Sequence, residues 1–272
     1  MEQIIALERF YEGMRDMPAP KAQFHDLRDR CVLVTGGGSG IGAALVEGFV
    51  RQGARVAFAD IDERASAELV ERLADQTGYK PHFIPGDLRD TEAVRHSAEA
   101  AAASLGAIHV LVNNAARDDR QALEAVTEEI WDESQAVNLR HLFFMSQSIV
   151  PHMRQAGGGS IVNFSSIAFL LNMGEIPAYA TAKAGIVGLT KSLAGRLGPD
   201  NIRVNAILPG MIVTERQKRL WLDDMAIAKM QERQCLKRSL TADDLVGPCL
   251  YLASDCSAGM TAQTMIIDGG AL

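Results

Sequence analysis

The 272-residue chain lacks the features that mark several classes of protein. It has no uninterrupted apolar run of about 18 residues, the length that a membrane-spanning helix needs. Its four cysteines show neither CxxC spacing nor a spacing typical of metal ligands, so we expect buried free thiols, no metal site and a reducing cytoplasmic location. A net charge of −7 argues against a nucleic-acid surface. We therefore expect a soluble cytoplasmic protein that binds neither membrane nor nucleic acid.

The N-terminal residues also lack the uninterrupted apolar stretch of a signal peptide. They mix acidic, basic and apolar side chains up to the Pro18–Pro20 segment. Hydrophobic residues make up 47% of the chain, enough for one sizeable core, and single α/β domains often reach this length. We interpret residues 1–26 as an N-terminal extension and residues 27–272 as one domain.

Seven short apolar segments alternate with segments of helical periodicity from residue 30 onward. Strands of nearly continuous apolar character, joined by helices, are typical of a parallel sheet covered on both faces. The sequence therefore predicts an α/β single-domain, doubly wound Rossmann fold with a seven-stranded parallel sheet and a ligand crevice at the carboxyl ends of its strands. Pro85 cannot donate to a strand ladder, which favours an edge position for the third strand. The segments are CVLVT (31–35), RVAFAD (55–60), HFIPGD (82–87), HVLVNN (109–114), SIVNFSS (160–166), IRVNAILPG (202–210) and QTMIIDGG (263–270).

A glycine-rich segment, TGGGSGIG (35–42), joins the first predicted strand to the first helix. Gly36, Gly40 and Gly42 have the spacing that a tight turn, a close approach to a pyrophosphate and helix–strand packing require. The following helix N-terminus offers free N–H groups to a phosphate. The position favours a dinucleotide site, although such a cluster also forms plain turns.

Asp60 ends the second predicted strand, 18 residues after Gly42. A carboxylate there can accept hydrogen bonds from both adenosine ribose hydroxyls and would repel a 2′-phosphate. Ile61 and Asp62 follow, and Arg64 is the cation closest in sequence. The pattern favours NAD as the cofactor, and the alternative is that Asp60 only caps the following helix.

The segment AYATAKAGIVGL (178–189) carries Tyr179 and Lys183 on one face of a predicted helix, because they lie about one turn apart. Taken alone, such a pair is more often an amphipathic tyrosine beside a solvated lysine than a catalytic pair.

Seven motifs in this order resemble the short-chain dehydrogenase/reductase family, and the resemblance runs from Leu27 to the C-terminus. The motifs are TGGGSGIG (35–42), GDL (86–88), NNAA (113–116), VNL (137–139), NFSS (163–166), YATAK (179–183) and PGMIVT (209–214). The resemblance implies an oxidoreductase in which Tyr179 is the general acid/base and Lys183 adjusts its pKa. Ser166 would hold the substrate oxygen, and the amide of Asn138 would help to order a water that relays protons.

The physical chemistry of a phenol explains why a cation should accompany the tyrosine. A free phenol has a pKa near 10, so only about 0.1% is ionised at pH 7. A neighbouring ammonium and a positive nicotinamide ring both favour the phenolate. We therefore expect Lys183 to be charged and to lower the pKa of Tyr179.

The resemblance also implies a set of cofactor contacts. Asp87 would contact the adenine, Asn113 would line the adenosine ribose, and Ile212 and Thr214 would bind the carboxamide. Ala116 stands where the family usually has glycine, which puts a Cβ beside the cofactor. The predicted cofactor-binding residues are Gly36, Ser39, Gly40, Ile41, Gly42, Asp60, Asp87, Leu88, Asn114, Tyr179, Lys183, Pro209, Ile212 and Thr214.

Three polar stretches, ARDDRQ (116–121), NLRH (138–141) and TERQKRLW (214–221), together with QCLK (234–237), resemble the NAD-dependent aldose 1-dehydrogenases of the family. The resemblance implies oxidation of the C1 hydroxyl of an aldopyranose to an aldonolactone. A sugar presents several hydroxyls that need charged or amide partners. The predicted substrate-binding residues are Asp119, Arg120, Ser166, Arg216 and Gln217, with Arg140 as a further candidate that could instead link two helices.

Other interpretations remain open at this point. The polar side chains could be solvated or form salt bridges. The apolar segment IAFLLNM (167–173) suits an acyl or steroid substrate, so a 3-oxoacyl reductase is the alternative enzyme. The patch Phe169–Leu171 could instead accept the methyl group of a 6-deoxy sugar. A binding protein on an inactive dehydrogenase fold is a further alternative, but such a protein would not need all four of Asn138, Ser166, Tyr179 and Lys183.

Two apolar helical stretches, HLFFMSQSIV (141–150) and GIVGLTKSLAG (185–195), could pack against a second copy of the chain. Members of the family commonly form tetramers through such helices, so we expect a homotetramer.

Overall fold

The structure is a computed structural model that describes residues 22–220 and 222–272. Most of the predicted N-terminal extension, residues 1–26, lies outside these described residues. Within them, no helix is both long enough and apolar enough to cross a membrane. The four cysteines are free, as expected, but Cys235 and Cys256 are exposed rather than buried.

Seven strands form one sheet, which confirms the predicted fold class. They are β1 (Cys31–Thr35), β2 (Arg55–Asp60), β3 (His82–Pro85), β4 (Val110–Asn113), β5 (Gly159–Phe164), β6 (Ile202–Pro209) and β7 (Thr264–Ile267). Every strand pairing is parallel, and the order across the sheet is β3-β2-β1-β4-β5-β6-β7. The third strand lies at an edge, as Pro85 indicates. The strand order reverses between β1 and β4, where a doubly wound sheet opens its ligand crevice.

Helices cover both faces of the sheet. They are α1 (Gly40–Arg51), α2 (Glu63–Thr77), α3 (Thr91–Leu105), α4 (Glu128–Gln135), α5 (His141–Gln155), α6 (Pro177–Leu197), α7 (Glu215–Leu220), α8 (Asp224–Arg233) and α9 (Asp243–Ala253). Residues of α1, α2 and α9 form one core, and residues of α3, α5 and α6 form the other. Alternate strand residues point to opposite cores: Val32 and Val34 contribute to the first, and Leu33 to the second.

Local sequence explains where two of these helices begin. The carboxylate of Asp62 accepts a hydrogen bond from Ala65 N at 3.0 Å and caps α2, so Asp60 is not the cap of that helix. Pro177 occupies the first turn of α6, where its missing N–H is not needed. Tyr179 and Lys183 therefore lie in the first two turns of α6, at the edge of the sheet where the strands end.

Candidate active site

A cleft of about 950 Å³ opens at the carboxyl ends of the strands. Its walls come from the loops that follow β1 to β6 and from the start of α6. Every residue predicted to bind a cofactor, except Asn113, lines this cleft. The structure thus brings together motifs that lie far apart in the sequence.

The glycine loop leaves no room for side chains at its closest approaches. Gly36 and Gly40 have φ values of +65° and +53°, a region that favours glycine. A Cβ on Gly42 would lie 1.7 Å from the carbonyl oxygen of Gly36. The hydroxyl of Ser39, the residue before α1, accepts no hydrogen bond from the first N–H groups of this 12-residue helix. These N–H groups lie at the cleft and are open to another acceptor. This arrangement fits the pyrophosphate of a dinucleotide.

Asp60 is held rigidly at the end of β2. Gly38 N donates to its Oδ2 at 2.7 Å, and Asp62 N donates to its Oδ1 at 2.9 Å. The side chain lines the cleft although the residue is only 9% exposed. Arg64 forms an exposed ion pair with Glu68 at 2.9 Å and is not part of the cleft wall. The carboxylate is therefore positioned to accept hydrogen bonds from ribose hydroxyls, and the guanidinium of Arg64 does not neutralise it.

The two asparagines after β4 have different positions. Asn113 is completely buried, and its amide donates to Asn163 Oδ1 at 2.9 Å inside the sheet. The prediction that Asn113 lines the adenosine ribose is therefore wrong. Asn114 lines the cleft, and its amide donates to the carbonyls of Thr35 at 3.1 Å and Gly36 at 3.0 Å. It links the loop after β4 to the glycine loop.

Tyr179, Lys183 and Ser166 meet at one wall of the cleft. Lys183 Nζ lies 5.5 Å from the centroid of the Tyr179 ring and donates to the carbonyl of Phe164 at 2.9 Å. Ser166 contacts the Tyr179 hydroxyl through a hydrogen bond, while its own Oγ accepts from Ala168 N at 3.1 Å. Lys183 is 2% exposed, so the solvated-lysine interpretation of this helix is wrong.

Burial dominates the proton affinities of this group. It raises the pKa of Tyr179 above its ordinary value, and the negative charge of Asp118 adds to that effect. Burial also lowers the pKa of Lys183 to about 7, although Asp118 opposes the change. The expected lowering of the Tyr179 pKa by Lys183 is not found, because desolvation penalises both charged forms.

Asn138 occupies a single π-helical turn, Ala136–Arg140, between α4 and α5. It is completely buried and does not line the cleft. Its Oδ1 accepts from Arg117 N at 2.9 Å, and its Nδ2 donates to Arg117 O at 3.0 Å. Both ends of this amide hold the backbone of the loop after β4, and its role in ordering a water stays a prediction.

His141 is a second residue that holds this loop, and it was not among the predicted site residues although it ends the stretch NLRH (138–141). Its Nε2 lies 3.0 Å from the carbonyl oxygen of Ala115. Burial lowers the pKa of His141 to about 4, so the ring is neutral near pH 7 and Nε2–H can donate to that oxygen. Ala116 lines the cleft with an ordinary negative φ, so its Cβ needs no glycine-like backbone.

The predicted substrate-binding residues divide into two groups. Ser166, Arg120, Arg216 and Gln217 line the cleft, but Asp119 does not. Asp119 instead pairs with Arg117, and Arg216 NH2 lies 3.6 Å from it. Asp119 is therefore a structural ion-pair partner in this structure rather than part of the cleft wall.

Several charged residues beside the cleft form a chain of ion pairs. Arg89 holds the carboxylate of Asp87 and lowers the pKa of that group. Arg140 donates to the carbonyl of Arg89 at 2.8 Å, so it links the π-helical turn to the loop after β3 rather than one helix to another. The chain consists of Asp87, Arg89, Glu133, Arg117, Asp119 and Arg216.

Comparisons with known proteins agree with this geometry. A family model described as enoyl-(acyl carrier protein) reductase matches residues 36–271. A probable galactose dehydrogenase of Rhizobium meliloti (strain 1021) is 76% identical over 254 residues, which cover 93% of this chain and 99% of that protein. A D-xylose 1-dehydrogenase of Caulobacter vibrioides is 42% identical over 249 residues, which cover 92% of this chain and 98% of that one. A crystal structure of a putative short-chain alcohol dehydrogenase from Sinorhizobium meliloti 1021 has a TM-score of 0.86 and 33% identity, covering 91% of this chain and 98% of that one.

The chain belongs to the short-chain dehydrogenase/reductase family. It is therefore an oxidoreductase that uses a nicotinamide cofactor. The residues of this dehydrogenase that would hold the cofactor are those of the glycine loop, Asp60 and the wall formed by Tyr179 and Lys183.

Asp118 is a charged residue of the cleft of this dehydrogenase that the sequence analysis did not select. Asp118 lines the cleft and faces Gln217, whose amide donates to Asp118 Oδ2 at 2.6 Å. The doublet of aspartates at 118 and 119 was the available signal. A loop without periodicity gives no rule for deciding which of two consecutive side chains points inward.

Proposed function

We propose that this dehydrogenase oxidises the C1 hydroxyl of an aldopyranose to the aldonolactone with NAD. The observation that carries the proposal is a group of polar side chains, from two separate elements, beside the Ser166–Tyr179 wall. They are Asp118, Arg120, Arg216 and Gln217. The names of the two sugar dehydrogenases among its relatives support the same substrate class.

The chain's own residues can handle the proton of the reaction. The C1 hydroxyl would lie between Ser166 and Tyr179, with Ser166 orienting its oxygen. Tyr179 accepts the hydroxyl proton, and Lys183 beside it stabilises the negative charge that develops on the phenol oxygen. The nicotinamide supplies the hydride acceptor at its C4 atom. Because the phenol is most basic when ionised, oxidation should accelerate as the pH rises.

We propose NAD rather than NADP because the carboxylate of Asp60 lies in the cleft wall at the end of β2, where it would meet the adenosine ribose. A 2′-phosphate would meet this negative charge in a buried setting, where repulsion is poorly screened. Ribose hydroxyls, by contrast, can donate to the remaining lone pairs of the carboxylate.

A 3-oxoacyl reductase remains the second candidate, because one part of the cleft is apolar. Ile167, Leu171, Met173 and Ile176 line it. Phe169 does not line the cleft, so Leu171 is the part of the predicted Phe169–Leu171 patch that reaches it. In the sugar proposal this apolar part accepts the C6 methyl group of a 6-deoxy sugar or the unsubstituted C5 of a pentose.

The test is a panel of substrates with NAD, in which NADH is followed by its absorbance. D-Galactose, D-fucose, L-arabinose, D-xylose and D-glucose would be compared with sugar alcohols and 3-hydroxyacyl thioesters. D-Galactose, D-fucose and L-arabinose share one arrangement of ring hydroxyls and differ only at C5, so the comparison separates hydroxyl recognition from the apolar part. The proposal expects turnover with aldoses, and turnover with thioesters alone would establish the second candidate.

We also propose that the enzyme is a cytoplasmic homotetramer. The free cysteines are compatible with a reducing compartment. Phe143 on α5 is 41% exposed and Trp131 on α4 is 37% exposed, which supports burial of these helices against another subunit. Sedimentation at micromolar concentration should give four times the 29.4-kDa mass of the chain, and a monomer would contradict the assembly.

A further inference from the structure

Asp118 is a carboxylate in the wall of the cleft to which the sequence assigned no role. It follows β4, and its side chain is 23% exposed. Its neighbour Asp119 does not line the cleft and forms ion pairs with Arg117 and Arg216, so the two aspartates have different surroundings. The position of Asp118 requires a separate explanation.

The carboxylate is oriented but incompletely used. Gln217 Nε2 donates to Oδ2 at 2.6 Å, and Arg216 Nε lies 3.9 Å from Oδ1, which is too far for a hydrogen bond. A carboxylate can accept about four hydrogen bonds, so the one from Gln217 orients the group without saturating it.

Asp118 also lies close enough to the reacting groups for its charge to act on both. It adds to the effect of burial in raising the pKa of Tyr179, and it opposes the effect of burial on the pKa of Lys183. Coulombic effects weaken with distance. Asp118, Ser166 and Tyr179 line the same cleft, so an alcohol held by Ser166 and Tyr179 would have this carboxylate in the wall around it.

The chemistry of the carboxylate restricts what those atoms can be. An ionised carboxylate only accepts hydrogen bonds, and its two oxygens can accept from two donors on adjacent atoms. The hydroxyls on C2 and C3, which follow C1 in the ring, are such donors, and hydrogen bonds to a charged group are about twice as strong as neutral ones. An acyl chain has no donors and would take water from the carboxylate without giving it a new hydrogen bond, which is costly.

We propose that Asp118 determines the specificity of the sugar site, with its carboxylate, oriented by Gln217, accepting hydrogen bonds from adjacent ring hydroxyls of the aldose. This assignment rests on the proposed sugar oxidation. It explains why Gln217, on α7, reaches across to the loop after β4.

The first test compares the wild type with Asp118→Asn and Asp118→Ala, using the best aldose and its 2-, 3- and 4-deoxy analogues. Loss of hydrogen bonds to a charged group should lower kcat/KM for the parent sugar about 10- to 100-fold, chiefly through KM. The KM for NAD should change little. The wild type should discriminate against the analogue that lacks a contacted hydroxyl, and Asp118→Ala should reduce that discrimination to within about threefold.

The second test is the pH profile of kcat/KM. Tyr179 faces Lys183 on its own helix, Ser166 after β5 and Asp118 after β4, while a neutral His141 lies near Lys183. Because the charge of Asp118 raises the pKa of Tyr179, Asp118→Asn should move the acidic limb of the profile to lower pH. A purely structural link between the loop and α7 would not move this limb.

Asp119→Asn is the matched control, since it removes the same charge one position along the chain. It should lower kcat/KM clearly less than Asp118→Asn and leave the deoxy-sugar discrimination in place. Gln217→Ala frees the carboxylate without changing the loop, and should raise the sugar KM while the acidic limb stays where it is. Thermal unfolding of each variant checks the fold.

Two outcomes would overturn the assignment. One is an unchanged sugar KM and deoxy-sugar discrimination in both Asp118 variants, with an unmoved acidic limb. The other is a loss in Asp119→Asn as large as the loss in Asp118→Asn. A wild-type enzyme that oxidises no aldose would refute the proposed function instead, so the two failures are distinguishable.

Discussion

Replacing Lys183 with Met should stabilise the protein while abolishing its activity. Lys183 is 2% exposed, and its burial lowers its pKa from 10.5 to about 7. A lowered lysine pKa means that folding disfavours the charged form. At about 1.4 kcal/mol per pKa unit, burying the charged lysine lowers the free energy of unfolding by about 5 kcal/mol at a pH where the lysine is charged in both the folded and the unfolded state.

The sign of the pH dependence follows from the proton balance. Below about pH 7 the lysine is charged in both states, so the full penalty applies. Between about pH 7 and 10.5 the unfolded chain binds more protons, so the free energy of unfolding rises with pH. Above that window the lysine is neutral in both states and the penalty disappears.

Met has a similar volume but cannot donate to the carbonyl of Phe164, which now receives a hydrogen bond at 2.9 Å. Leaving that carbonyl unpaired costs about 1–3 kcal/mol. The net gain in unfolding free energy at pH 6 is therefore about 2–4 kcal/mol. For a domain of this size it corresponds to a rise of roughly 5–10 °C in melting temperature.

The assay is equilibrium denaturation of both proteins at pH 6 and at pH 10, at one protein concentration because subunit association also contributes. Lys191→Met is the control, since Lys191 is an exposed lysine on the same helix and its loss should matter by less than about 0.5 kcal/mol. A Lys183→Met protein that is less stable than the wild type at pH 6, or a difference that does not shrink at pH 10, would refute the reasoning.

Two further predictions concern the reaction. Tyr179→Phe removes only the phenol oxygen, so turnover should fall at least about 100-fold while NADH affinity, measured by fluorescence titration, stays within a few-fold; near-normal turnover would end the assignment of Tyr179. Asp60→Ala should weaken NAD and improve NADP, each by about 1–3 kcal/mol, as read from the two values of kcat/KM; a wild type that already prefers NADP would show that the role given to Asp60 is wrong.

The sheet and the glycine loop could be predicted because their signals are local. Near-continuous apolar segments such as CVLVT specify a strand buried on both faces, and the chain offers seven of them in parallel order. The role of Gly36 and Gly42 could be predicted because the backbone passes too close to its neighbours at these positions for a residue with a Cβ. These features depend little on how distant segments pack.

The side chains that follow the strands were harder to predict, because a shift of one residue reverses their direction. Asn113 is still within β4, opposite Asn163 on β5, and so points into the sheet, whereas Asn114 is already in the loop. The same uncertainty separates Asp118 from Asp119. The side-chain oxygen and nitrogen of Asn138 both form hydrogen bonds with the backbone of Arg117, a tertiary contact that no sequence motif predicts.

The direction of the Tyr179 pKa also depends on the folded structure. The sequence places Lys183 one turn away, which predicts a lowered phenol pKa. It cannot show that Lys183 becomes almost completely buried and Tyr179 partly buried, or that Asp118 brings a negative charge to them from another element. Desolvation then outweighs the favourable pair interaction.

The most direct measurement is the fate of the C1 hydrogen of an aldose. D-Galactose carrying deuterium at C1 would be incubated with the enzyme and NAD, and both products examined by NMR. The account predicts deuterium at C4 of the reduced nicotinamide, galactonolactone as the first sugar product, and a slower reaction than with unlabelled sugar where hydride transfer limits the rate. Reduced cofactor without deuterium, or oxidation at any other carbon of the sugar, would contradict it.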